Sequence, residues 1–142
     1  MRYHFKIHRT KKGFWAECVE YDGCITQGDT RKELDFNMRE VLDAMLDEPP
    51  DSDWFMPMPD PKIKGRNIVE VEVDPKIAMA TMLRFNRVKR GLTQRQVADK
   101  LGMKHIYQYQ KLESGKTANP EFGTLVKIKR VFPEFSVDSV LA

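Results

Sequence analysis

The chain has 142 residues, 41% hydrophobic and 32% charged, which is enough for one compact domain or two small ones. No apolar run approaches the ~18 residues of a membrane span, and two cysteines, Cys18 and Cys24, exclude both a disulfide scaffold and a zinc site. The net charge of +3 hides a split: residues 1–74 carry 11 Lys+Arg against 16 Asp+Glu (−5), and residues 75–142 carry 13 against 5 (+8).

The chain opens directly on alternation, with no signal-peptide pattern. Tyr3, Phe5 and Ile7 share one face of a strand, and His4, Lys6 and His8 share the other. Arg9 to Gly13 reads as a hairpin loop, and Phe14 to Tyr21 as the return strand. Its faces are Phe14, Ala16 and Cys18 against Trp15, Glu17 and Val19, and the first set is expected to meet a helix. Asp22-Gly23 is a turn, Cys24 to Thr26 a short third strand, and Gly28 its end.

Thr30 and Glu33 form a capping box ahead of a helix. Leu34, Met38, Val41, Leu42 and Met45 follow helical spacing over about four turns, up to Asp47-Glu48 and the break at Pro49-Pro50. Five prolines at 49, 50, 57, 59 and 61 predict a stiff extended segment. Trp54, Phe55, Met56 and Met58 within it are expected to lie along the domain or a neighbouring subunit. Residues 68–73 alternate again, giving a strand with a face of Val69, Val71 and Val73. Asp74-Pro75 is a helix start and the expected domain boundary.

The helix from Pro75 to about Lys89 leads to Gly91. Thr93 and Gln96 form a second capping box, Val97, Ala98 and Leu101 share a helical face, and Gly102 stops that helix. A second helix is expected from Lys104 to Glu113, closed by Ser114-Gly115, and two short helices around a tight Gly turn are a helix-turn-helix. Ile106, Tyr109 and Leu112 or Glu113 are expected to face inward. Lys104, Tyr107, Gln108 and Lys111 then form an outer stripe, a donor-rich mixture that suits the DNA major groove. Asn119-Pro120 starts a further helix expected to bury Phe122, Leu125 and Ile128. Pro133 ends it, and Ser136 to Ala142 add a last turn.

The pattern Leu-Arg-x-x-Arg-x-x-x-Gly-Leu-Thr-Gln-x-x-Val-Ala-x-x-Leu-Gly, from Leu83 to Gly102, resembles the Cro/cI (XRE) repressor family. Between Gly102 and Glu113 the chain has one residue more than that family's pattern. The start of the recognition helix among Lys104, His105, Tyr107 and Gln108 is therefore left open. Gly13-Phe14-Trp15-Ala16-Glu17, then Asp22-Gly23-Cys24-Ile25-Thr26-Gln27-Gly28-Asp29-Thr30 and a helix, resembles the HicB antitoxin family over about residues 1–74. The loop Val19-Glu20-Tyr21-Asp22 lacks that family's prolines.

The expected fold class is therefore α+β: a small N-terminal sheet with one packed helix, which the resemblance implies is partly ribonuclease-H-like, and a C-terminal all-α helix-turn-helix bundle. The resemblance also implies an antitoxin that blocks an mRNA-cleaving HicA-like toxin and represses its own operon. An alternative is a stand-alone repressor whose N-terminal domain senses an effector. Residues 1–74 are expected to bind the toxin, with Trp15, Glu17, Tyr21 and Asp22 as candidates that join an aromatic anchor to carboxylates. Residues 75–142 are expected to bind double-stranded operator DNA, with Gln94, Lys104, His105, Tyr107, Gln108, Lys111 and Lys116 as candidates. One helix-turn-helix holds few phosphates, so a homodimer or higher homo-oligomer is expected, on half-sites about one turn (~34 Å) or a multiple apart. No carboxylate pair has a spacing that compels a metal, and His4 and His8 lie roughly 13 Å apart at strand rise. The chain is read as a cytoplasmic, prokaryotic protein without cofactor, metal, membrane contact or catalytic residue.

Overall fold

In the computed structural model, which describes residues 1–142, the alternating N-terminal stretch is strand β1 (Arg2–Arg9). It pairs antiparallel with β2 (Phe14–Cys18), Ile7 opposite Ala16 and Phe5 opposite Cys18. β3 (Ile25–Gly28) pairs with β2, and β4 (Ile68–Glu72) with the free edge of β1, giving the order β3-β2-β1-β4. The third strand starts one residue later than the sequence suggests. Cys24 is fully buried in the preceding turn, and its carbonyl accepts from the Cys18 amide. Both cysteines are free and buried, and the hydrogen bond shared with Cys24, together with burial, pushes the Cys18 thiol up.

Helix α1 (Arg31–Leu46) lies on the face formed by Tyr3, Phe5, Ala16 and Cys18, and buries Leu34, Met38, Leu42 and Leu46. Each such side chain contributes roughly 1.5–3 kcal/mol. The capping box is displaced by one residue: Thr30 accepts from the Glu33 amide, but the Glu33 carboxylate takes the Asp29 amide. The valine face of β4 is as expected, with Val71 and Val73 buried.

His4 departs from the alternation, since it is 4% exposed on the face expected to be open. The proline segment explains this. Residues 49–61 run back over the protein's own surface as a strap, with Met56 fully buried and Tyr3 donating to the Pro57 carbonyl at 2.9 Å. Glu20 completes the cover: it accepts from the His4 amide and the Asp60 amide, and one of its oxygens lies 2.8 Å from His4 Nδ1.

Asp74 caps α2 (Pro75–Lys89) through the Lys76 and Ile77 amides, with Pro75 at the first helical position. Then follow α3 (Gln94–Lys100), α4 (Ile106–Gln110), a 3-10 turn (Lys111–Glu113), α5 (Phe122–Val131) and α6 (Val137–Leu141). The buried apolar side chains of sheet, strap and helices form one connected core from Met1 to Val140. In α5, Ile128 is buried, but Phe122 is 82% exposed because the helix starts only there, before its stripe reaches the core. Phe132 and Phe135, beyond the helix, are fully buried, and Arg90 lies over the Phe132 ring while donating to the Val131 carbonyl. No helix is long and apolar enough to cross a membrane.

Candidate nucleic-acid interface

Two glycines set the frame of the helix-turn-helix. Gly91 (φ 68°) and Gly102 (φ 73°) both adopt the left-handed conformation, which stops α2 and α3 and turns the chain. Thr93 and Gln96 form the full reciprocal capping box at the start of α3. Val97, Ala98 and Leu101 are buried, as their spacing requires.

The second helix is shorter than the sequence suggests. Instead of running from Lys104 to Glu113, it starts at Ile106 and tightens into a 3-10 turn from Lys111. The turn between the helices absorbs Met103, Lys104 and His105, and the Gln108 carboxamide oxygen accepts from the His105 amide at 3.3 Å. Ile106 is exposed rather than inward-facing, because it occupies the first turn of a helix that starts two residues late. Tyr109, Leu112 and Glu113 face inward.

What anchors this short helix is a buried polar hub. Glu113 is completely buried and receives Arg87 through two bonds, Nε at 2.6 Å and Nη2 at 3.1 Å. Its carboxylate also accepts from the Tyr109 hydroxyl and from Gln94 Nε2. Arg84 donates to the Glu113 carbonyl, and its Nε lies 3.7 Å from the carboxylate. The same two arginines reach the strap: Arg84 donates to the Ser52 and Pro49 carbonyls, and Arg87 to the Ser52 carbonyl and the Asp53 carboxylate. Burial draws the Arg84 guanidinium down. In Arg87 burial acts the same way, but the bonds and charge of Glu113 outweigh it and hold the group up. Burial, joined by the Glu113 charge, pushes the Tyr109 phenol up.

Gln94, one of the DNA-binding candidates, is turned inward. It is 7% exposed, donates to the Pro50 carbonyl and Glu113, and accepts from Gln110 Nε2. The other six candidates are exposed, and the fold groups them. His105 stacks on Tyr107 at 5.5 Å, and the Lys111 ammonium lies 5.6 Å from the Tyr107 ring centre. Lys104 and Gln108 flank this stack, and Thr117 donates to the Lys111 carbonyl, which folds the turn carrying Lys116 against the end of α4. Arg95, which the outer-stripe argument missed, adds an exposed cation from α3 and reaches the Lys104 carbonyl at 3.5 Å. Its signal was its place on the first helix, one residue past Gln94.

Residues 83–138 match the family model for helix-turn-helix. This part of the chain is a DNA-binding, transcription-regulating unit, and no curated protein matches the sequence. Of its cations, Arg84 and Arg87 are withdrawn into the hub, so the charge offered to DNA is smaller than the +8 of the half-chain.

On the sheet, Trp15 and Glu17 share the β2 face opposite α1. Trp15 stacks on His8 with centres 4.0 Å apart, and the Glu17 side chain is 42% exposed. Tyr21 and Asp22 lie in the following turn, where Tyr21 meets Trp54 of the strap edge-on at 5.7 Å. Trp54 is itself 41% exposed.

Proposed function

We propose that the protein is an antitoxin that neutralises a HicA-like mRNA-cleaving toxin through residues 1–74. As a homodimer or higher homo-oligomer, it represses its own operon through residues 75–142. The carrying observation is the joining, in one chain, of an acidic half (residues 1–74), whose sheet carries a tryptophan and a carboxylate on the face away from α1, to a helix-turn-helix with an exposed basic stripe. A ribonuclease holds RNA on a basic surface. Glu17 and Asp22 supply carboxylates in place of phosphates, and Trp15, Tyr21 and Trp54 supply anchors. On the DNA side, Lys104, His105, Tyr107, Gln108, Lys111 and Lys116 form the reading surface. The protein acts in the cytoplasm.

The test co-expresses the full chain with the product of the adjacent gene. Expected are a stable complex, loss of RNA cleavage, and salt-dependent protection of an inverted repeat. Trp15→Ala should weaken the protein complex and spare the footprint. A folded chain that leaves the ribonuclease active would refute the antitoxin role. A footprint on one unrepeated half-site would refute the dimer.

A further inference from the structure

A cleft of about 980 Å³ opens where the outer face of the sheet, the strap and α2 meet. Its size is that of a small-molecule site. Met58 of the strap and Met82 and Phe85 of α2 supply apolar wall, and His4 and Glu70 close the sheet side. The charged side chains around the cleft are mostly matched: Arg2 lies 3.8 Å from Glu70, which His4 Nε2 also approaches, and Arg90 lies 2.7 Å from Glu134. The Met1 ammonium, also in the lining, is spent on the Val140 and Ala142 carbonyls, and Lys89 is the one charged side chain left over. Its ammonium takes part in none of the protein's ion pairs and stands 5.3 Å from the centre of the Phe85 ring. Asn86 is 5% exposed. It donates Nδ2 to the Met82 carbonyl, while its Oδ1 accepts no bond within the protein.

An apolar wall, one unmatched side-chain cation beside an aromatic ring and one spare acceptor define the complement. We propose that this cleft is a binding site for a small planar aromatic monoanion, such as an arene carboxylate or sulfonate. The ring lies along Met58, Met82 and Phe85, the negative charge meets Lys89, and a ligand hydroxyl or N–H can reach Asn86. A charge-assisted contact in a partly dry cleft is stronger than the cation–π contact it supplements. The site is independent of the toxin- and DNA-binding surfaces. It is nevertheless built on α2, the helix that carries Arg84 and Arg87 to Glu113.

The probe is 1-anilinonaphthalene-8-sulfonate, titrated into the full chain and followed by fluorescence. Saturable binding at one site per chain is expected. Lys89→Ala should weaken it by about tenfold or more, the loss of a charged hydrogen bond. Lys89→Arg should retain binding, and Lys127→Ala, an exposed change elsewhere, should leave it unaltered. Benzoate should displace the dye and benzamidine, of opposite charge, should not. Far-UV circular dichroism verifies that each variant is folded. Unsaturable binding, equal binding by Lys89→Ala, or equal displacement by benzamidine would overturn the proposal. So would exclusion of the dye as protein concentration rises, since a second copy would then occupy the cleft.

Discussion

Glu20 directly, and Glu113 through Arg84, Arg87 and Gln94, hold opposite ends of the same strap, and these two buried carboxylates are compensated by different means. Glu20, its side chain 5% exposed, gathers the amides of His4 and Asp60 and the His4 ring. Glu113, wholly buried, gathers two guanidiniums, a phenol and a carboxamide. The sheet end is thus held mainly by neutral donors that would otherwise be wet, the helical end by fixed charge drawn out of water. Loss of a carboxylate leaves amides seeking an acceptor at one end; at the other it leaves Arg84 buried without a counter-charge and Arg87 with only the exposed Asp53.

Glu113→Ala should therefore be the most damaging single change, costing about 3–5 kcal/mol in urea unfolding. It should also abolish operator binding, because α4 loses its anchor through Tyr109 and Arg87 is left with its strap partners Ser52 and Asp53 alone. Glu20→Ala should cost less, about 1–3 kcal/mol, and loosen residues 57–61 without displacing α4, as hydrogen exchange would report. Equal losses from the two variants would break the distinction between charge and neutral compensation.

The same contrast separates buried from exposed polar groups in the helix-turn-helix. Gln108→Ala should cost roughly 1–3 kcal/mol of discrimination between operator and non-operator DNA. Its oxygen now caps the His105 amide, so reading an adenine through both amide atoms requires that bond to be exchanged. Lys111→Ala should weaken all sequences alike and lower the salt slope by about one. Gln94→Ala should instead lower stability, with little change in that slope, since its amide is spent on Pro50 and Glu113. A Gln94→Ala slope as reduced as that of Lys111→Ala would place Gln94 on phosphate after all.

Local patterns explain what was legible in the sequence. Alternation at Tyr3, Phe5 and Ile7, helical spacing at Leu34, Met38 and Leu42, and caps at Thr30, Asp74 and Thr93 depend on near neighbours, and each is realised. The misplacements depend on partners far along the chain. His4 is buried because Asp60 and Glu20 cover it, which no alternation in β1 records. Gln94 turns inward because Pro50 and Glu113 offer it an acceptor. Arg84 and Arg87 stand three apart on a face shared with Leu83 and Ala80, an unusual place for cations. That spacing signals a buried counter-charge, although only the fold identifies it as Glu113. Ile106 and Phe122 went astray through helix starts displaced by about two residues, which leave each at the first position of its helix with no preceding turn to pack against.

A third carboxylate sharpens the comparison with the smallest effect. Asp43 of α1 is half-buried at the seam and accepts from the Asp74 amide at 3.0 Å. It has the burial of the other two in part, but no cation in any ion pair. Burial raises its carboxyl above the usual range, the charges of Asp74 and Glu40 add to this, and the Asp74 amide only partly offsets them. A raised folded-state value means that the protonated form is the one the fold favours. Its contribution is fully present below the unfolded value of about 3.9 and is lost as pH rises through the folded value. At neutral pH the ionised Asp43 therefore opposes folding. An asparagine side chain at this position would keep the acceptor for the Asp74 amide without the charge. Asp43→Asn should accordingly melt above the parent at pH 7, with the two curves converging as pH falls below about 4. The opposing influence is the positive end of α2, which favours a nearby anion, but Asp74 already fills that role as its cap. A lower melting temperature for Asp43→Asn at pH 7 would mean that the helix end uses both carboxylates, and that compensation at this seam comes from the backbone dipole rather than from a side chain.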